Sequence, residues 1–503
     1  MQTVKQRKSK AITEFGDFQT PPELALAATQ VLRDLGIRPR SILEPTCGRG
    51  AFLEAAAKCF PDAETIIGVD INQGHLRFAD LIANRFSNRI DLRQGDFFKL
   101  EWETIVAEDD GPWLIVGNPP WVTSSDLGAI ESDNLPEKSN FHGRMGIEAI
   151  TGKSNFDISE WMLLRYLDWL GSCDGTIAVL CKTAVARKIL LQIWKKGNVC
   201  LRAARIYKID APAYFGAAVD ACLFVLEVTP QGKEFECGVF SSLHAREPSH
   251  AIGFLEGHII PHMAAFKEYR NLLGPEKRYV WRSGIKHDCS KVMELTKTSG
   301  GYLNGLGETV AIEDSSLFPL LKSSDIGNGR IESRGVMVVT QSFVGENTDK
   351  IKAKSPNTWL YLERHAELLN KRGSVIYKNK PQYSIFGIGP YTFSPWKVAI
   401  SGFYKKLRFV KIGPVDDKPV VFDDTIYFLP CWSEAEADFV ESMLRSPAAQ
   451  AFFQSMIHWD EKRPITVEIL KRLSMQKLSA TLGREGDYAR FTESQELPLF
   501  AAM

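Results

Sequence analysis

Short, continuous apolar runs alternate with stretches of helical spacing through the first 230 residues. Runs at 41–43, 65–69, 90–93, 113–116, 175–180, 204–209 and 221–228 predict strands. Most of them lack polar alternation, as expected of strands covered on both faces. Residues 50–60 are Ala-rich and 158–170 have helical spacing, so helices are predicted between the strands. Strands alternating with helices predict an α/β fold of the doubly wound, Rossmann-like kind. After residue 228 the pattern changes. Residues 229–310 are polar, contain glycine and histidine, and show few clear strands. The chain ends in predicted helices at 437–443 and 447–456, the first opened by a capping box from Ser433 to Glu436, and a shorter one running to Leu473.

The predicted strand ends carry the chemistry. After the first comes Glu44-Pro45-Thr46-Cys47-Gly48-Arg49-Gly50, where Gly48 and Gly50 allow close backbone approach to a ligand before a helix begins. The second ends on Asp70, placed to accept ribose hydroxyls. The third ends on Gly95-Asp96-Phe97-Phe98, an acid for an amino group and a ring to flank it. The fourth ends on Asn118-Pro119-Pro120-Trp121. Two prolines stop the ladder there. The Asn118 oxygen and the Pro119 carbonyl can accept both N–H bonds of a planar amine, with Trp121 stacked on its ring. Each acid alone is more often a helix cap or turn former; acids at successive strand ends are harder to read that way. The loop lacks the third glycine of a dinucleotide fingerprint, Leu53 standing in its place, and Glu44 would repel a pyrophosphate. A negative loop suits a cationic ligand without phosphate, which S-adenosylmethionine matches.

Composition narrows the setting. Acids and bases number 61 each, so net charge neither supports nor excludes a nucleic-acid partner. Nine scattered cysteines without a Cys-x-x-Cys pair argue against a zinc ribbon and for a reducing, cytoplasmic setting. No apolar stretch reaches membrane-spanning length, so no membrane is expected. His258 and His262 are four apart, but Pro261 between them weakens a metal-binding helix, and no metal is expected.

These residues together resemble the gamma-class N6-adenine DNA methyltransferases. In that class a Phe-x-Thr-Pro-Pro segment precedes the cofactor loop and an Asn-Pro-Pro-aromatic tetrapeptide follows it, as Phe18-Gln19-Thr20-Pro21-Pro22 and Asn118-Pro119-Pro120-Trp121 do here. The resemblance covers residues 15–230 specifically. It implies that Thr20, Glu44, Cys47, Gly48 and Gly50 line the methionine side of S-adenosylmethionine, that Asp70 takes the ribose and Ile71 lies on the adenine, and that Asp96 and Phe97 read its edge. Asn118, Pro119, Pro120 and Trp121 would hold the target adenine, and Phe215 would stack on its other face. Trp121 departs from the more usual tyrosine or phenylalanine.

The resemblance also implies a C-terminal α+β target recognition domain. Residues 364–411 fit this, with ten basic residues, one acid (Glu367) and interleaved aromatics. The expected organisation is a basic tail over 1–14, a catalytic domain over 15–235, a connecting segment over 236–310 and a recognition domain over 311–503. The expected partner is double-stranded DNA, with a separate cognate restriction endonuclease as a further candidate. The protein is expected to be a monomer at the nucleoid of a bacterial or archaeal cell. Methylation of ribosomal RNA guanine or of a protein glutamine, and a non-catalytic DNA-binding subunit, are the rival expectations.

Overall fold

The computed structural model describes residues 19–86, 89–106, 111–123, 157–171 and 174–493. The tail at 1–14, Phe18 and residues 124–156 lie outside them. The chain divides into two compact units, 1–263 and 264–503.

The first unit is built on one ten-stranded sheet. Its strands are β1 (Ser41–Glu44), β2 (Thr65–Asp70), β3 (Ile90–Gln94), β4 (Trp113–Gly117), β5 (Gly175–Lys182), β6 (Leu201–Ile209), β7 (Ala221–Val228), β8 (Glu236–Phe240), β9 (His250–Leu255) and β10 (His258–Ile260). The order is β10-β9-β8-β6-β7-β5-β4-β1-β2-β3. β3, β2, β1, β4 and β5 run parallel, and β7 enters antiparallel between β5 and β6. Helices α1 (Pro22–Asp34), α2 (Ala51–Cys59), α3 (Gln73–Ala83), α4 (Trp102–Val106), α5 (Ile158–Leu170), α6 (Thr183–Lys196) and α7 (Ala211–Phe215) accompany it. Two buried clusters form the core. One gathers Leu43, Ile115, Phe97, Trp102, Tyr166 and Trp169; the other gathers Ile42, Leu114, Phe52, Leu24 and Ala28. Adjacent residues Ile42 and Leu43 thus serve opposite faces, which is why these strands read as continuous apolar runs.

The chain leaves β1 toward β2 on one side, while β4 pairs with β1 on the other, Leu43 level with Ile115. Strand order reverses at this pair, and a crevice opens at the carboxyl ends of such strands. Glu44 and Asn118 both stand there.

β8, β9 and β10 extend the sheet beyond the predicted strands. Residues 236–310, expected as a connecting segment, are shared between the units, with 236–263 in the first and 264–310 in the second. The second unit holds a six-stranded sheet of β12 (Glu294–Thr298), β13 (Gly301–Leu303), β14 (Thr309–Val310), β15 (Leu317–Leu321), β16 (Gly335–Val338) and β19 (Val421–Phe422), and a four-stranded one. The latter is made of β11 (Arg282–Ser283), β17 (Trp396–Ser401), β18 (Val410–Ile412) and β20 (Ile426–Cys431). Helices at Glu434–Leu444 and Pro447–Met456 follow where predicted. The last predicted helix contracts to Val467–Leu470.

Candidate active site

The loop after β1 is held from two sides. Gly48 N–H donates to Asp70 Oδ2 at 2.8 Å, and Asn72 N–H donates to Asp70 Oδ1 at 2.7 Å. Asp70 therefore ties the first strand end to the second, with His75 Nδ1 3.8 Å from its Oδ1. Cys47 N–H donates to the Val69 carbonyl at 2.8 Å, completing the tie. Gln19 covers the loop: its Oε1 accepts from Arg49 N–H at 3.0 Å and lies 2.8 Å from where a Gly48 Cβ would stand. Thr20, half-buried, follows Gln19 directly, and Pro21 and Pro22 open α1.

Gly48 and Gly50 both have positive φ, 52° and 87°. A Cβ on Gly50 would meet Ala79 Cβ and Ile82 Cδ1, both at 3.2 Å. Gly50 thus lets α2 approach α3 closely.

Glu44 is the buried carboxylate of the crevice, 3 % exposed. Leu53 N–H, in the first turn of α2, donates to it. Its Oε2, although buried, has no hydrogen-bond partner among the described residues. Burial first, and the Asp70 charge second, hold this carboxyl well above the usual carboxylate range. An open acceptor beside a second acid, Asp70, suits a ligand bearing a sulfonium and an ammonium. Gly117 closes the other side with φ 153°; a Cβ there would meet Glu44 Cγ at 3.4 Å.

At the β3 end, Asp96 caps its own turn, Oδ1 accepting from Phe98 N–H at 3.0 Å while Oδ2 pairs with Lys99 Nζ at 2.8 Å. Phe97 turns inward. It is 9 % exposed and sits within 5.1–6.0 Å of Phe98, Trp102, Trp161, Tyr166 and Trp169. The rings left half-buried at this tip are Phe98 and Trp161, 5.3 Å apart. Ile71, by contrast, is 44 % exposed beside Asp70.

Asn118 is half-buried at the end of β4, Pro119 buried and Pro120 half-buried. Trp121 is 9 % exposed, and its Nε1–H donates to the Leu180 carbonyl on β5 at 3.2 Å. Phe215, at the end of α7, meets Trp121 edge-on at 5.1 Å between centroids and 68° between planes. The structure therefore brings together two rings 94 positions apart that sequence alone had paired only by resemblance.

Lys182, absent from the sequence reading, locks this corner. Its Nζ donates to the Trp121 carbonyl at 3.0 Å and pairs with Asp157 Oδ2 at 2.5 Å. Asp157 Oδ1 accepts from Ser159 N–H and Oγ at the start of α5. Ile158 N–H donates to the Val122 carbonyl. A strand-end lysine before a helix was the available sequence signal, but its partner lies 25 positions upstream and could not be read.

Comparisons with known proteins agree with this geometry. The sequence profile of the N-6 DNA methylase family matches residues 3–188. The type II methyltransferase M.NspV of Nostoc sp. is 45% identical over 478 residues, covering 94% of this chain and 98% of that protein. A release factor glutamine methyltransferase of Geobacter sulfurreducens is 27% identical over 138 residues, 26% of this chain and 45% of that protein. Among solved structures, the type IIL restriction-modification enzyme MmeI in complex with DNA aligns with TM-score 0.53 at 12% identity, over 91% of this chain and 64% of its own. That likeness supports the fold, a Rossmann-like catalytic unit followed by an α+β unit. No helix among the described residues is long and apolar enough to cross a membrane, and no group of metal-ligating side chains occurs among them. The chain belongs to the type II methyltransferases, N-6 DNA methylases that take their methyl group from S-adenosylmethionine.

Proposed function

We propose that the protein methylates the N6 amine of an adenine flipped out of double-stranded DNA, at one recognition sequence. The observation that carries this reading is the juxtaposition, at the reversal of strand order, of Glu44 with its open acceptor and the Asn118-Pro119-Pro120-Trp121 corner. Glu44, with Thr20, Cys47 and Gly48, would hold the methionine side of S-adenosylmethionine. Asp70 and Ile71 would hold its adenosine, with Asp96 at the adenine edge and Phe98 the ring available beside it. The bound cofactor supplies an electrophilic methyl carbon on a sulfonium.

The residues at the β4 end do the rest. An adenine amine is a poor nucleophile because its lone pair is delocalised into the ring. Asn118 Oδ1 and the Pro119 carbonyl accept its two N–H bonds, draw the nitrogen toward tetrahedral geometry and localise the lone pair. Positioning of this kind contributes on the order of several kcal/mol to the barrier reduction. Trp121, anchored on β5 through its indole N–H, gives the base a fixed face. Phe215 stands against Trp121, so a base stacked on both rings displaces Phe215 as it enters. Flipping costs roughly a few kcal/mol, partly offset by this stacking.

The protein is read as a monomer in the cytoplasm, with any cognate endonuclease on a separate chain. Expression in a methylation-free host followed by modification-sensitive sequencing tests the reading. One methylated adenine motif is expected. Unmodified DNA, with methyl transfer instead to ribosomal RNA or to a glutamine, would overturn it. Asn118→Ala is expected to abolish methylation while cofactor binding persists; full turnover in that variant would refute the assignment.

A further inference from the structure

Among the described residues, Phe343 and Val344 are the one consecutive pair of large apolar side chains left exposed, at 52 % and 45 %. Such pairs normally sit in a core. Here the loop is built to hold them out. Gln341, buried at its base, donates from Nε2 to the Glu346 carbonyl at 2.6 Å and accepts from Ile385 N–H at 2.9 Å. Ser342 N–H donates to Glu346 Oε2 at 2.6 Å, and Glu346 N–H donates to the Phe343 carbonyl at 3.2 Å. Gly345 turns the chain with φ 87°. Thr340 and Thr348, both buried, donate from their hydroxyls to the carbonyls of Tyr383 and Gln382 at 2.9 and 2.5 Å. Both ends of the loop are thus pinned to the segment 382–385.

That segment follows Lys378 and Lys380, both exposed and without an ion pair among the described residues. Of the eight basic residues over 341–385, Lys350, Lys352 and Lys371 pair with Glu346, Asp349 and Glu367 and Arg372 is held by carbonyls, which leaves Lys354, Arg364, Lys378 and Lys380 exposed without an ion pair among the described residues. A rigid apolar tip in a basic surround matches the side-chain wedges that proteins insert between base pairs while lysines hold the flanking phosphates. A protein-docking patch would not need this excess of positive charge.

We propose that Phe343, backed by Val344, is a wedge that enters a base step of the DNA substrate. The proposal rests on the reading of double-stranded DNA as that substrate. Unstacking a second step of the bound duplex would add specificity for easily unstacked steps, such as pyrimidine–purine ones.

The test uses the full-length protein and a duplex carrying the sequence that it methylates, with 2-aminopurine placed at successive positions. Two fluorescence rises are expected on binding, one at the flipped adenine and one at a separate step. Phe343→Ala should remove the second rise, keep the first, and weaken DNA binding by about tenfold. Phe343→Leu should restore both, and cofactor affinity should not change. A single rise with the wild-type protein, or two unchanged rises with Phe343→Ala, would overturn the wedge. So would a change in the sedimentation of the free protein that leaves the DNA signals intact, since this would make the pair a protein contact. If the wild-type protein methylates no duplex at all, the substrate reading fails instead.

Discussion

Glu44 concentrates the electrostatics of the crevice in one side chain. Its carboxyl is raised because burial and Asp70 both disfavour its charge, and Oε2 finds no donor among the described residues. A cationic ligand reverses that balance by favouring the ionised form. Cofactor affinity is therefore expected to rise with pH through the raised value, with proton release on binding. Calorimetry in buffers of different ionisation enthalpy measures that release, and Glu44→Gln should abolish it while weakening binding. The free protein behaves in the opposite sense. A raised folded value means that the contribution of Glu44 to stability is fully present below its ordinary value near 4.5 and is lost as pH climbs through the folded one. Glu44→Gln should flatten this decline in chemical denaturation as pH rises above about 4.5. A pH-independent affinity in the wild-type protein would mean that Glu44 is not facing the cofactor's positive charge.

Strands and helices were the most legible elements, because β1, β4, β5 and β7 are buried throughout or nearly so and read as unbroken apolar runs. β8 to β10 escaped because they are short and mix polar with apolar positions near the sheet edge, where no simple period survives. The placement of Glu44, Asp70 and Asn118 at strand ends was legible because each strand end carries its own residues. Direction was not legible: Phe97 and Phe98 are adjacent, and only the fold says which ring turns into the core. The site was invisible where elements meet, as at Lys182 on β5, Trp121 after β4 and Asp157 before α5. That three-way junction carries a prediction. Lys182→Met leaves the buried Asp157 without its cation, which costs about 3–5 kcal/mol of stability. It also frees the Trp121 carbonyl, so single-turnover methylation should slow while cofactor affinity holds. Pairing it with Asp157→Asn should cost less than the sum of the two single changes, as for groups in one network. Additive losses, with the methylation rate unchanged, would make the pair a mere surface contact.

At the scale of the whole molecule, the basic segment 364–411 shows how a charge count misleads until the fold sorts it. Ten bases and one acid, with interleaved aromatics, suggested a nucleic-acid footprint. The fold removes several of them from it. Lys397 is buried in β17, donating to the Ser394 carbonyl at 2.6 Å, and burial brings its ammonium down to about 7. Lys411 pairs with Glu434 and Asp438, acids more than twenty positions away, and Lys371 pairs with Glu367. Arg372 spends its guanidinium on the carbonyls of Leu369, His287 and Ser384 and stacks on Tyr377 at 3.9 Å. Lys378, Lys380, Lys405 and Lys406 stay exposed without an ion pair among the described residues, the last two in the connection between β17 and β18. A net-neutral chain that binds a polyanion must do so through such local groups, since its overall field offers no attraction. Each lysine on a phosphate contributes about one unit to the slope of log affinity against log salt, so Lys405→Ala with Lys406→Ala should reduce that slope by about two. Lys371→Ala and Lys411→Ala serve as the internal comparison, because their charges are already compensated and the slope should hold. The loss should be uniform across DNA sequences, leaving the methylated motif unchanged, since phosphate contacts position the protein without reading bases. Equal slopes for both pairs would show that DNA passes elsewhere on this unit, and a changed motif would move these lysines from the backbone to the base edges.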